Sequence, residues 1–400
     1  MYEKIKRNTP ALVEQTLANH GEWDAVTFLL ISHRLRQSDY EAWRIGEVSC
    51  LEKVIAGNQT RMIAMLDTAL AHGISMGLIQ SPISWLGWGK QSGKKLRLFD
   101  DEQTNNRFQL RLAPKADRPQ LDLFMDAPHT LLLNRLRQAL LARSPEQNSL
   151  FDRALSEISN EPALARLDAI RAAMNQSSID KALGWLHYLN EVINPAVSDE
   201  FPRHTLDIMA PLWRQAATAL LADPFDPAQP LNHASAVWMQ AHAWEACLSS
   251  IAQVPNWHHH PYLHALRIEA LSAMGHYEQV RCAYMLYCWL SPEMATKAMN
   301  QDELQACGLQ RQWLQFIALE NAPSIADFPA MVALQYGQAF DDAFTHAHHT
   351  DGYRHYQLLC ELLDHEKRSK EIDIALRSSL KHASPWLFHA FMAMASKHIR

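Results

Sequence analysis

The stretch LHALRIEALSAMGHYEQVRCAYMLYCWLSP, from Leu263 to Pro292, reads as two amphipathic helices hinged at Gly275 and stopped by a proline. Leu266, Ala270 and Leu271 fall on the first helix at helical spacing, and Val280, Tyr284 and Tyr287 fall likewise on the second. Glycine at the hinge accepts φ > 0 without the steric cost of a Cβ, so the chain can reverse tightly and bring the two apolar faces together. A helix with one apolar face must bury it against another element, and here the nearest is the neighbouring helix. The chain is therefore constrained toward antiparallel helix pairs.

Helical periods recur through much of the 400-residue sequence. They run over 129–143, 144–158, 162–174 and 178–192, with Ser144-Pro145 offering a cap and a first-turn proline. Nearer the N-terminus, Val26, Leu29, Leu30 and Leu35 mark one helix, and Ser38 or Asp39 caps another that carries Tyr40 and Trp43. A longer helix is predicted from Val48 to Ala71, interrupted at Gly57-Asn58 and stopped at His72-Gly73. Between these helices and the next, Lys95 to Phe99 and Arg107 to Leu112 alternate polar and apolar residues around DDEQTNN, which predicts a β-hairpin near 94–112. Leu96, Leu98, Phe108, Leu110 and Leu112 would then pack inward, with Lys95, Arg97, Arg107 and Arg111 on the opposite side. Pro114 and Pro119 mark a boundary, giving an N-terminal helical unit with the hairpin over 1–118 and a helical-repeat-like domain over 119–400. The proline cluster at 222–230 is a candidate joint within the second.

From Gly275, Tyr277 follows two residues on, then Val280, Tyr284 and Tyr287, and Pro292 closes the helix. Upstream, Ala243-Trp244-Glu245-Ala246-Cys247 places Trp244-Glu245 33 residues before Tyr277-Glu278. This pattern resembles the tetratricopeptide repeat over about Leu231 to Pro292, departing from it at His264, at Ile268 and in the missing proline of the upstream copy. The resemblance implies a mostly α fold of stacked antiparallel helix pairs that presents an extended surface to a protein partner.

Several function classes lack their signatures. Hydrophobic residues at 48% and charged residues at 20% describe a folded chain, and a net charge of -6 argues against general polyanion binding. The opening MYEKIKRNTPALVEQTLANHGEW has no apolar core of signal-peptide length, and no apolar run approaches a membrane span, so a cytoplasmic, membrane-free protein is expected. Six scattered cysteines without CxxC spacing read as buried, reduced thiols. There is no GxxxxGK[ST] phosphate loop, no GxGxxG after a predicted strand, no GxSxG elbow and no HExxH.

Two constellations carry chemistry. Histidine is abundant, at 21 residues, with Trp257-His258-His259-His260 followed by His264, and Asp341-Asp342 followed by His346, His348 and His349. On a helix Asp342 and His346 share a face, so Asp342, His346 and His349 are candidate ligands for a divalent transition metal. The second is the basic hairpin, whose Lys95, Arg97, Arg107 and Arg111 could grip phosphates or another anionic partner. The expected function is a non-enzymatic scaffold or adaptor, without cofactor, that binds a protein partner through its helical surface. The alternatives are a metal-dependent enzyme or metal-binding protein using 342–349, and a nucleic-acid-associated regulator using the hairpin.

Overall fold

Asp24 shows how tightly local chemistry sets the N-terminal elements. Its carboxylate accepts hydrogen bonds from the N–H groups of Val26 and Thr27, both at 2.9 Å, and from the Thr27 hydroxyl at 2.7 Å. This starts α2 (Ala25–Ile31) immediately after the short strand β1 (Trp23–Asp24), and burial raises the Asp24 pKa. The computed structural model describes residues 2–114, 128–158, 161–176, 179–299, 304, 307–319, 323–336, 344, 347, 349–368 and 373–398. The protein is mostly α-helical and divides into two compact units: 1–222 with 240–243, and 223–239 with 244–400. The boundary expected near residue 118 lies outside the described residues.

In the first unit, α1 (Tyr2–His20) and α4 (Gln59–Ser75) pack together, and α3 (Gln37–Ile45) contributes Tyr40 and Trp43 to the same core as Trp23, Phe28, Leu66, Phe99 and Phe108. The long helix predicted from Val48 begins only at Gln59. Gly57 at φ +105 reverses the chain and Asn58 caps the helix by accepting the Arg61 N–H at 3.1 Å. Nor does that helix stop at Gly73. A Cβ there would lie 2.4 Å from the Leu112 side chain, so glycine serves close helix–strand approach rather than termination.

The predicted hairpin is corrected. Strand β3 (Leu110–Ala113) pairs antiparallel with β1 and with β2 (Ile79–Pro82), in the order β1-β3-β2, and residues 102–108 form the helix α5 (Glu102–Phe108). Local hydrogen bonding explains this outcome. Asp101 accepts the Thr104 N–H at 2.8 Å, capping α5, and the buried Asn105 side chain takes the Leu98 N–H at 2.8 Å. The carbonyls of Arg97 and Leu98 are meanwhile claimed by Leu51 and Glu52 N–H groups.

Beyond the sheet the first unit continues through α6 (Pro128–Leu141), α7 (Gln147–Glu157), α8 (Pro162–Met174), α9 (Ala182–Tyr188), α10 (Asn194–Glu200) and α11 (Thr205–Ala219). A π-helical turn at Leu189–Ile193 joins α9 to α10 just before Pro195, a residue with no N–H for the regular ladder. Glu200, with a side chain only 2% exposed, accepts hydrogen bonds from Arg137 on α6 at 2.7 Å and from the Arg166 Nε on α8 at 2.7 Å. One carboxylate thus ties three helices together.

In the second unit, α12 (Ala234–Gln240), α13 (Trp244–Gln253), α14 (Pro261–Ala273), α15 (Tyr277–Leu290), α16 (Pro292–Ala298) and α17 (Gln310–Ile317) follow one another. The expected hinge is present. Gly275 adopts φ +72, its N–H donates to Ser272 O at 2.9 Å, and the His276 N–H donates to Leu271 O at 3.0 Å. These two bonds complete a Schellman turn. One detail differs from the expected seam: Leu266 and Ala270 pack with Cys247 and Ile251 of α13, whereas Ile268 and Leu271 join the cluster of Val280, Tyr284 and Tyr287. Helix α14 is therefore covered from both sides.

Helix α15 is buried continuously from Ala283 to Trp289 and meets α14, α16, the turn at Ile325–Asp327 and α18 (Phe328–Tyr336). Helices α19 (Asp351–Arg368), α20 (Ile374–Ala383) and α21 (Pro385–His398) complete the unit. Trp289 sets its ring edge-on to Tyr353 at 5.1 Å, and Gly352 lets that neighbourhood close, since a Cβ there would come within 2.5 Å of Ala326 O.

A Cβ on Gly275 would meet nothing within 4 Å, so a substitution there should carry a backbone penalty alone. Gly275→Val is expected to lose about 1–3 kcal/mol in urea unfolding, with Gly275→Asn losing less because asparagine tolerates the left-handed region. Equal stability of all three proteins would contradict the turn assignment.

Candidate functional site

One turn geometry recurs along residues 242–308. His242, Gly275 and Gly308, each 33 residues from the next, all have positive φ, at +53, +72 and +78. His242 and Gly275 each close one helix and precede another, Gly308 precedes α17, and the Leu309 N–H donates to Leu304 O at 3.0 Å, the same relation that His276 bears to Leu271. Burial repeats with the same period: Cys247, Val280 and Trp313 are buried, as are Ser250, Ala283 and Phe316. Successive helix pairs thus present equivalent faces inward.

On α17, Trp313 and Phe316 face the core while Leu314 and Ile317, three residues apart, are 56% and 49% exposed. The adjacent Gln315 is bonded to Gln335 of α18 at 2.9 Å, and Tyr336 follows at the exposed end of that helix. An apolar edge is left on the outside of the stack.

The four cations singled out in the sequence meet different partners. Arg107 pairs with Asp67 at 2.6 Å, and Arg111 donates to Ser81 at 2.9 Å and lies 3.4 Å from Glu22. Arg97 donates to the carbonyl of Asp100, and Lys95 is exposed. Of the candidate metal ligands, Asp342 and His346 lie outside the described residues, while His349 is described and exposed.

Among the described residues, Cys50, Glu52 and Asp100 bring three ligand atoms within 4.8 Å of one another. Their bonding already has a structural purpose. The Cys50 thiol reaches Leu98 O at 3.2 Å, Glu52 accepts the Asp100 N–H and the Gln59 amide, both at 3.0 Å, and Lys53 lies 3.8 Å from Asp100. Burial raises the Cys50 pKa, which disfavours thiolate. Burial likewise pushes Cys247 to about 12 and Cys360 to about 11, so these thiols are poor nucleophiles.

Two polar groupings were not legible in the sequence because their members are distant in it. Asp327, buried at the start of α18, accepts a hydrogen bond from His355 Nδ1 on α19 at 2.7 Å and another from Trp386 Nε1 on α21 at 3.0 Å. The carboxylate orients the imidazole as an acid–base dyad would, but it also clamps three elements together. In the first unit, the guanidinium groups of Arg44 and Arg143 both lie over the buried Trp88 ring, 4.4 and 4.3 Å from its centroid. Burial lowers the Arg143 pKa, opposed by Glu41 and Asp207.

Neither a family model, nor a curated protein, nor a solved structure matches this chain.

Buried histidines serve the framework. His233 precedes α12 and its Nδ1 accepts the Ser235 N–H at 3.3 Å, a role available only to the neutral ring, and burial lowers its pKa from 6.5. An unfolded chain would take up this proton first as pH falls through 6.5, so the associated stability is present above that value and is lost on acidification toward the lower folded pKa. Melting temperatures measured from pH 7.5 to 5 should fall less steeply for His233→Asn, which keeps a capping acceptor but cannot titrate. An unchanged pH slope would remove His233 from the account.

Proposed function

We propose that this protein is a scaffold or adaptor that engages a protein partner through the stacked helix pairs of its second unit, a stack akin to tetratricopeptide repeats. The observation that carries this reading is the recurrence of positive-φ turns at His242, Gly275 and Gly308 with matching buried positions. Equivalent faces turned inward leave equivalent faces turned outward, and such arrays bind partners over an extended surface without chemistry of their own. Helix α17 adds exposed Leu314 and Ile317, side chains suited to an apolar segment of a partner. A cytoplasmic setting accords with six cysteines that are all thiols. Among the described residues no helix is long and apolar enough to cross a membrane.

Affinity capture from the native lysate, followed by mass spectrometry, tests this reading. A partner retained by the wild-type chain should be lost, by at least tenfold in recovery, from a Leu314→Asp, Ile317→Asp variant that keeps its helical circular dichroism. Capture of no partner, combined with turnover of a metabolite, would overturn the reading.

A further inference from the structure

Two histidine-bearing segments far apart in the sequence meet in space. Asn256, at φ +54, starts a 3-10 turn at Trp257–His259, and His349 stands just before α19. The ring centroids of His258 and His259 are 4.3 Å apart, and those of His259 and His349 are 6.3 Å apart. Two imidazoles bound to one zinc ion at Zn–N distances of 2.0–2.1 Å have centroids roughly 5–6 Å apart; the observed spacings fall on either side of that range, one shorter and one longer, so a shared ion requires the rings to turn. The supporting turn is held from below. Fully buried His264 donates from Nε2 to His258 O at 2.8 Å and stacks on Tyr287 at 5.3 Å with an 11° interplanar angle. That anchoring fixes the backbone of the ligand pair while leaving His259 and His349 exposed and their rings able to rotate.

We propose that His259 and His349, with His258 as third ligand, form a surface site for a divalent transition metal such as Zn²⁺. The three residues do not place their nitrogens within 4.8 Å of one another, so binding proceeds with rotation of the exposed rings. Imidazole-only ligation suits zinc, copper or nickel and disfavours magnesium and calcium, which take oxygen ligands. An ion held there would link the turn leading into α14 to the segment leading into α19, across 90 residues of chain. It would bind the folded state in preference to the unfolded one and thereby stabilise it. This site is independent of the partner-binding reading.

The test uses the full chain without an affinity tag, titrated with Zn²⁺ by calorimetry and melted with and without the ion. One Zn²⁺ per chain is expected, with a rise in melting temperature that EDTA reverses. His259→Ala and His349→Ala should each weaken binding by at least tenfold, and the double variant should lose the thermal shift. His389→Ala, at an exposed histidine on α21, should change neither quantity. Absence of binding at 100 μM Zn²⁺ would overturn the proposal, as would unchanged stoichiometry and thermal shift in the double variant; since the substituted side chains are exposed, circular dichroism matching wild type should accompany either result.

Discussion

Burial of α15 is the constraint on which the second unit depends. From Ala283 to Trp289 every residue is covered, which an amphipathic surface helix does not allow and which requires neighbours on all sides. Helix α14 supplies one side through the Gly275 turn, α16 and the Ile325–Asp327 turn supply others, and α18 closes the rest. Filling those positions places Trp289 among Phe344, Tyr353 and Tyr356, each ring edge-on to the indole. Aromatic pairs in that geometry add specificity to simple area burial. The consequence is a stack whose later helices fold back on its own middle.

That folding back separates this arrangement from an open solenoid. In a simple array each pair touches only the pairs before and after it. Here α15 also packs on α18, and α18 is buried along Phe328 to Leu334, so an apolar helix occupies the centre of the C-terminal half. Among the described residues, exposed apolar side chains include Leu314 and Ile317 on α17 and Ile374 on α20.

The Gly275 turn was legible in the sequence because one glycine, two apolar faces and a closing proline are all local signals. The 33-residue recurrence was only half legible: Trp244 and Tyr277 announce it, but His242 occupies a left-handed turn that its side chain does not advertise. Residues 94–112 misled for a physical reason. Their polar–apolar alternation was real, yet Asp101 and Asn105 offered side-chain hydrogen bonds that made a helix and took the Leu98 N–H away from strand pairing. Long-range polar groupings were not legible at all, since nothing near Asp327 points to His355 or Trp386. The two histidine-rich segments were each visible, but their meeting at His259 and His349 is a product of the fold.

Native-state amide hydrogen exchange tests the organising role of α15 most directly. If the second unit is built around that helix, amides of 283–289 should be its slowest to exchange and should open together with those of 263–271 at a common free energy. Exchange across 277–290 that is faster than in the flanking helices, or that is independent of α14, would contradict the account.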